Sequence, residues 1–204
     1  MNTVIDQQDT KKEKILEAAH SRFLHYGYSK TTMNEIAGDL AMSKALLYYY
    51  FPDKSQLYVE VMRKLANDYI YLLEKRSGTF VNLQEAFFYQ INTKHNFVAR
   101  NYNFFDFFRI NEQNLPDMIW DILALIHKKE VEMLMLSLQQ ETDSGSIKLT
   151  KHPENLIELL LDALHGVRMC ASSHKKVAFP DKEHLEDIHQ KRLLLAEIFI
   201  KGLR

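Results

Sequence analysis

The chain has 204 residues, 46% of them apolar, enough for the core of one large domain or two small ones sharing an interface. Lys and Arg number 26 against 27 Asp and Glu, so the overall positive charge common in nucleic-acid binders is missing, and any such surface must come from placement. No apolar run approaches the roughly 18 residues of a membrane span, and the opening MNTVIDQQDTKKEK lacks the apolar centre of a secretion signal. These features predict a soluble, cytoplasmic protein without membrane contact, and the single Cys170 fits a reducing compartment, where it is expected to be a small buried apolar residue.

In chain order, Lys11 to Tyr26 reads as a first helix closed by Gly27-Tyr28, with Lys11, Lys12 and Lys14 as a solvated start. Thr32 followed by Glu35 is a capping box, so a second helix is expected from Met33, with Ile36, Ala37 and Leu40 on one face. Ser43 is the next N-cap, with Met42 and Leu47 placed as a hydrophobic staple, and a short helix should run from Lys44 to Phe51 before Pro52 ends it. If Ala41 in the intervening turn is left-handed, its Cβ costs on the order of 1 kcal/mol. Asp53 and Gln56 suggest a third box. Two short helices joined by about three residues follow the helix-turn-helix plan, whose second helix enters the major groove.

The residues Ile36-Ala37, Met42-Ser43-Lys44, Leu47-Tyr48-Tyr49-Tyr50-Phe51 and Lys54, after a helix that ends in Gly27-Tyr28, resemble the DNA-binding domain of the tetracycline-repressor-like (TetR) family of bacterial transcription regulators. The sequence departs from that pattern at Ala41, where the family usually has glycine, at Leu46, often threonine, and at Tyr50, often histidine. Base preference therefore cannot be carried over. The resemblance implies a double-stranded DNA operator as partner, contacted from Thr32, Asn34, Ser43, Lys44, Ala45, Leu46, Tyr48, Tyr49, Tyr50 and Lys54. Lys44, Tyr48 and Lys54 would mainly hold phosphates, while Ala45, Leu46, Tyr49 and Tyr50 would face bases.

Beyond Pro52 the chain reads as helix after helix. Asp53 to about Arg76 carries Leu57, Val61, Leu65, Tyr69 and Leu72 at helical spacing, and Ser77-Gly78 breaks it before a restart at Asn82 or a neighbour. Pro116, Gly145, Pro153 and Phe179-Pro180 punctuate the rest. The expected fold is all-α with about nine helices: residues 1–52 as a three-helix DNA-binding domain and 53–204 as a larger helical domain for effector binding and dimerisation.

Residues 80–120 hold eleven of the 23 aromatic side chains, a density that serves equally as a plain core or as the wall of a ligand cavity. The family resemblance favours the cavity, because there the helices after the linker enclose a small-molecule effector. On that reading Phe88, Asn92, His95, Tyr102, Phe105, Phe108, Arg109, Trp120 and His127 are the candidate ligand contacts, with Glu112 beside them, for an apolar or aromatic effector.

Leu156, Leu160, Ala163, Val167 and Cys170 form an apolar stripe that Leu159, Leu164 and Met169 widen, and Leu185, Ile188, Leu195, Ile198 and Phe199 repeat the pattern in the last helix. Pro153-Glu154 and Gly166 also resemble the family's penultimate helix, whose pairing with its copy implies a homodimer through the last two helices.

Nine histidines invite a metal site, but HExxH, CxxC and any His pair at i, i+4 are missing, and Ser43 and Ser172 lack the glycine setting of a nucleophile elbow. No catalytic residue, metal or cofactor is expected. The competing assignment is a helical enzyme or carrier for a lipid-like molecule, which would have no use for the Lys44 to Lys54 block. The reading reached is a ligand-responsive regulator, a repressor by family default, released from a palindromic operator by its effector.

Overall fold

A computed structural model describes residues 2–105, 107–108, 115–147, 152–174 and 182–203, with side chains from residue 9 onward in the first helix. The described residues form eight helices and no strand: α1 (Asn2–Lys30), α2 (Met33–Asp39), α3 (Lys44–Tyr50), α4 (Lys54–Arg76), α5 (Leu83–Arg100), α6 (Asp117–Asp143), α7 (Pro153–His174) and α8 (Lys182–Gly202). They divide into two compact units, Met1–Ala66 with Asn101–Ile122, and Asn67–Arg100 with Leu123–Arg204. The unit that holds the short helices thus takes in more than residues 1–52, because the first half of α4 and a distant aromatic segment complete its core.

In the first unit α1 buries Ile15, Leu16, Ala19 and Phe23. Gly27 interrupts it with φ 78° and ψ 168°, a conformation open to glycine, and the last turn is held by the Thr31 hydroxyl donating to the Gly27 carbonyl at 2.8 Å. Met33, Ile36 and Ala37 of α2 and Leu47 of α3 are buried, whereas Leu40 is only half-buried. Tyr58 of α4 is the centre of the core: its ring stacks on Phe104 (4.3 Å between centroids) and on Phe107 (4.2 Å), and its hydroxyl donates to the Phe104 carbonyl at 2.8 Å. Phe23 and Tyr28 meet the same ring edge-on. The segment after residue 100 is anchored to α1 by the His20–Asn101 hydrogen bond (3.0 Å) and by the Asn103 amide donating to the Leu24 carbonyl (2.9 Å).

In the second unit Tyr69 and Leu73 of α4 are buried while Leu72 is exposed, so the stripe that begins at Leu57 continues through Leu73. Asn82 caps α5 by accepting from the Glu85 backbone N–H at 2.9 Å. Glu130, on α6 and 1% exposed, accepts from the Tyr69 hydroxyl (2.6 Å) and pairs with Lys94 of α5 (2.8 Å). Ile157, Leu160, Leu161 and Leu164 of α7 and Leu185, Ile188, Ala196 and Ile200 of α8 complete this core. Cys170 is exposed, contrary to the buried position expected from its residue type. The stripe drawn through it turns away from the core at that end of α7. Phe179-Pro180 lies outside the described residues. Among the described residues no helix is long and apolar enough to cross a membrane.

Candidate nucleic-acid interface and ligand cavity

The geometry of α2 and α3 follows from three local hydrogen-bond devices. At the start of α2 the Thr32 hydroxyl accepts from the Glu35 backbone N–H (3.3 Å) and the Glu35 carboxylate accepts from the Thr32 backbone N–H (2.8 Å), a complete capping box. Those bonds from Thr32 hold the Glu35 carboxyl below its ordinary pKa range. At the end of α2, Ala41 N–H donates to the Gly38 carbonyl and Met42 N–H to the Ala37 carbonyl, both at 3.0 Å, while Ala41 sits at φ 48°. This is a Schellman turn with alanine in the left-handed position normally given to glycine. Ser43 then starts α3 by accepting from the Leu46 backbone N–H at 3.2 Å.

Arg22 of α1 fixes α2 from behind. Its guanidinium donates twice to Asp39, Nε at 2.6 Å and Nη2 at 2.7 Å, and lies 3.4 Å from Glu35. Both carboxylates of α2 thereby share one guanidinium, whose single positive charge offsets one of their two negative charges. Lys44 extends over the Tyr48 ring at 5.7 Å, and Asn34, Lys44, Ala45, Tyr48 and Tyr49 are exposed, Tyr49 to 71%. Leu46 and Tyr50 are half-buried, and Tyr49 and Tyr50 meet edge-on at 5.4 Å. Thr32 and Ser43 spend their hydroxyl oxygens on the caps.

Lys54 differs from its expected role. Its ammonium donates to the carbonyls of Tyr28 (2.8 Å) and Thr31 (2.9 Å) and lies 4.1 Å from the centre of the Tyr28 ring, so it ties α4 to the end of α1. Burial lowers its pKa, with Glu35 opposing the shift. Asp53, the expected third cap, accepts from the Gln56 backbone N–H at 2.8 Å.

The candidate ligand contacts are divided between the two units. Phe88, Asn92, His95 and His127 belong to the second unit, Tyr102, Phe105, Phe108 and Trp120 to the first, and Arg109 and Glu112 lie outside the described residues. Phe105 is buried against Phe104 and Phe108, Trp120 is 56% exposed, and Asn92 faces solvent. The rings of the first unit pack on one another as a filled core, and an aromatic-lined chamber built from them is not what the described residues form. Within the second unit, α5, α7 and α8 enclose a cavity of about 40 Å³. Its polar lining is Lys94, His95, Arg168, His189 and Arg192, and its apolar lining is Val98, Leu185 and Ile188.

Residues 15–61 match the family model for bacterial regulatory proteins of the tetR family. The HTH-type transcriptional regulator RutR of Escherichia coli (strain K12) is 42% identical over 55 residues, which span 27% of this chain and 26% of RutR, about a quarter of its length. The similarity extends further with the biofilm operon icaADBC HTH-type negative transcriptional regulator IcaR of Staphylococcus aureus (strain Newman), 26% identical over 74% of this chain and 81% of IcaR. A crystal structure of a transcriptional regulator from Cytophaga hutchinsonii ATCC 33406 superposes with a TM-score of 0.82 at 29% identity, covering 95% of this chain and 98% of that one. Residues 15–61 are a tetR-family domain.

The features missed from the sequence are those made by distant residues. Arg22 carries no local sign of its pairing with Asp39, seventeen positions away. Of the cavity's polar lining only His95 was expected at a ligand site. Lys94, Arg168, His189 and Arg192 sit on helices whose apolar pattern drew attention to packing, and their convergence is a product of the tertiary fold.

Proposed function

We propose that this protein is a cytoplasmic, DNA-binding transcriptional regulator that acts as a homodimer and releases its operator when a small molecule enters the second unit. The observation that carries the reading is α3: seven residues, capped at Ser43, held by a left-handed turn behind it and presenting Lys44, Ala45, Tyr48 and Tyr49 to solvent. A rigid two-helix element with its outer face free of core duty is what major-groove reading requires. Lys44 and Tyr48 would hold phosphates, Ala45 and Tyr49 would meet base edges, and Leu46 and Tyr50 would contribute at the rim.

Dimerisation is supported by Leu159 and Met169 of α7 and Leu194 and Ile198 of α8, large apolar side chains left exposed in the second unit, Leu159 to 61% and Ile198 to 59%. Covering such a surface with its own copy gives the apolar interface typical of obligate dimers. Helix α4 supplies the mechanical connection, with Lys54 bonded to the end of α1 and Tyr69 bonded to Glu130. The effector need only prefer the non-binding conformation by a few kcal/mol.

Selection of bound duplexes from a random DNA pool tests the whole reading. A two-fold symmetric site with half-sites about one helical turn apart, or somewhat more, is expected. Recovery of no enriched sequence would refute DNA reading, and an asymmetric single half-site would refute the dimer.

A further inference from the structure

The cavity among α5, α7 and α8 has an unusual charge arrangement. Three permanently cationic side chains line it, Lys94, Arg168 and Arg192. Lys94 is already satisfied by the buried Glu130, whose other hydrogen bond comes from Tyr69. Arg168 is contacted by His165 and the Met169 sulfur at 3.5 Å, neither of them an anion. The Arg192 Nε is buried without a hydrogen-bond partner, and so is Nδ1 of His189, a side chain that is 8% exposed and stacked on His95 at 4.1 Å. Burial, followed for Arg168 by repulsion from Arg192, lowers the pKa of both guanidiniums, and for Arg192 it does so against the opposing pull of Glu130. Orphaned donors beside neighbouring buried cations are costly in a folded protein. An anion placed between them removes both costs together.

The size of the space narrows the choice. A cavity of about 40 Å³ restricts the ligand to a small molecule, and the Val98, Leu185 and Ile188 side of the wall is apolar. We propose that this cavity binds a small organic carboxylate, with the carboxylate oxygens between Arg168 and Arg192, His189 donating from Nδ1, and a short apolar body against Val98, Leu185 and Ile188. Planar guanidinium forks match carboxylate geometry, and the His95–His189 stack fixes the imidazole that completes the ring of donors. The assignment rests on the reading that the second unit takes an effector, and it replaces the apolar or aromatic effector expected from the ring count.

The test is a titration of the free full-length chain, without DNA, with acetate, propionate and butyrate, using propionamide as neutral control and inorganic phosphate as competing anion. Propionate at about ten times its dissociation constant should raise the melting temperature by about 3–6 °C and shift the Arg192 Nε–Hε resonance, while propionamide does neither. Because that resonance is read in the unmodified protein, the result does not depend on a variant folding. Arg168→Gln should then weaken propionate at least tenfold. No response to any carboxylate would overturn the proposal, and so would an equal response to the amide or a response to phosphate alone. Failure of DNA binding in the pool selection leaves these outcomes unchanged, so the two readings fail separately.

Discussion

Replacing Ala41 by glycine separates backbone strain from every other contribution to the α2–α3 turn. Ala41 is exposed, so its methyl group gives up no burial on removal, and its φ of 48° places it where a Cβ crowds the following carbonyl. That crowding costs about 1–2 kcal/mol, whereas the greater freedom of glycine in the unfolded chain costs about 0.4–1 kcal/mol. The balance predicts a stabilisation of about 0.5–1 kcal/mol, or a rise in melting temperature of about 1–4 °C for a chain of this size. Ala45→Gly supplies the contrast: four residues on, equally exposed, but inside α3 with a helical backbone, it should lose about 0.5–1 kcal/mol. The same chemical change thus has opposite signs at two neighbouring sites. Thermal melts of both variants under one buffer decide the matter. If the two destabilise alike, the turn is not left-handed at Ala41 and the Schellman geometry is wrong.

Lys44→Ala should lower the salt slope of operator binding by about one unit in an anisotropy titration across salt concentrations, and an unchanged slope removes Lys44 from the phosphate contacts. Glu130→Gln leaves Lys94 without its partner and weakens the bond to Tyr69, so unfolding in urea should show a loss of about 3 kcal/mol; a loss below about 1 kcal/mol would mean the Lys94–Glu130 pair is not an anchor of the second unit. Sedimentation at micromolar concentration should give a dimer, with Leu159→Lys and Ile198→Lys together shifting it to monomer while helicity is retained. For pH, burial first, then His95 and Arg192, hold the His189 pKa below that of a free imidazole against the opposing pull of Glu186. The unfolded chain therefore takes up this proton first as pH falls, and stability should drop as pH descends through about 6.5 toward the folded pKa. Urea midpoints from pH 8 to 5.5 should show that slope, flattened in His189→Gln.

Glu130 adds a second, more acid contribution by the same logic with the opposite chemistry. Burial alone would raise its pKa, but Lys94 and the hydrogen bonds from Lys94 and Tyr69 outweigh it and hold the carboxyl low. Its contribution is present above the ordinary carboxylate range and disappears as pH falls through the depressed folded value.

What was legible in the sequence is what short-range chemistry decides. Thr32 and Glu35, Ser43 and Leu46, and Asn82 and Glu85 are three apart, and a hydroxyl, carboxylate or amide at that spacing has few alternatives to capping the turn between them. Ala41 was singled out because the resembling family usually has glycine there, and its φ of 48° is the left-handed backbone that glycine implies. Lys54 marks the boundary of that kind of inference: its position in the motif was correct, but its ammonium reaches back 26 and 23 residues to the carbonyls of Tyr28 and Thr31, a choice set by where α4 crosses α1. The aromatic concentration reports burial and says nothing about emptiness. Tyr58, 46 residues before Phe104, stacks on that ring and donates to its carbonyl, a pairing that no local pattern announces. The cavity was invisible for the complementary reason. Lys94, Arg168 and Arg192 each read as an ordinary surface cation on an amphipathic helix, and only the packing of α5, α7 and α8 turns three separated charges into one site in which the Arg192 Nε is buried without a hydrogen-bond partner.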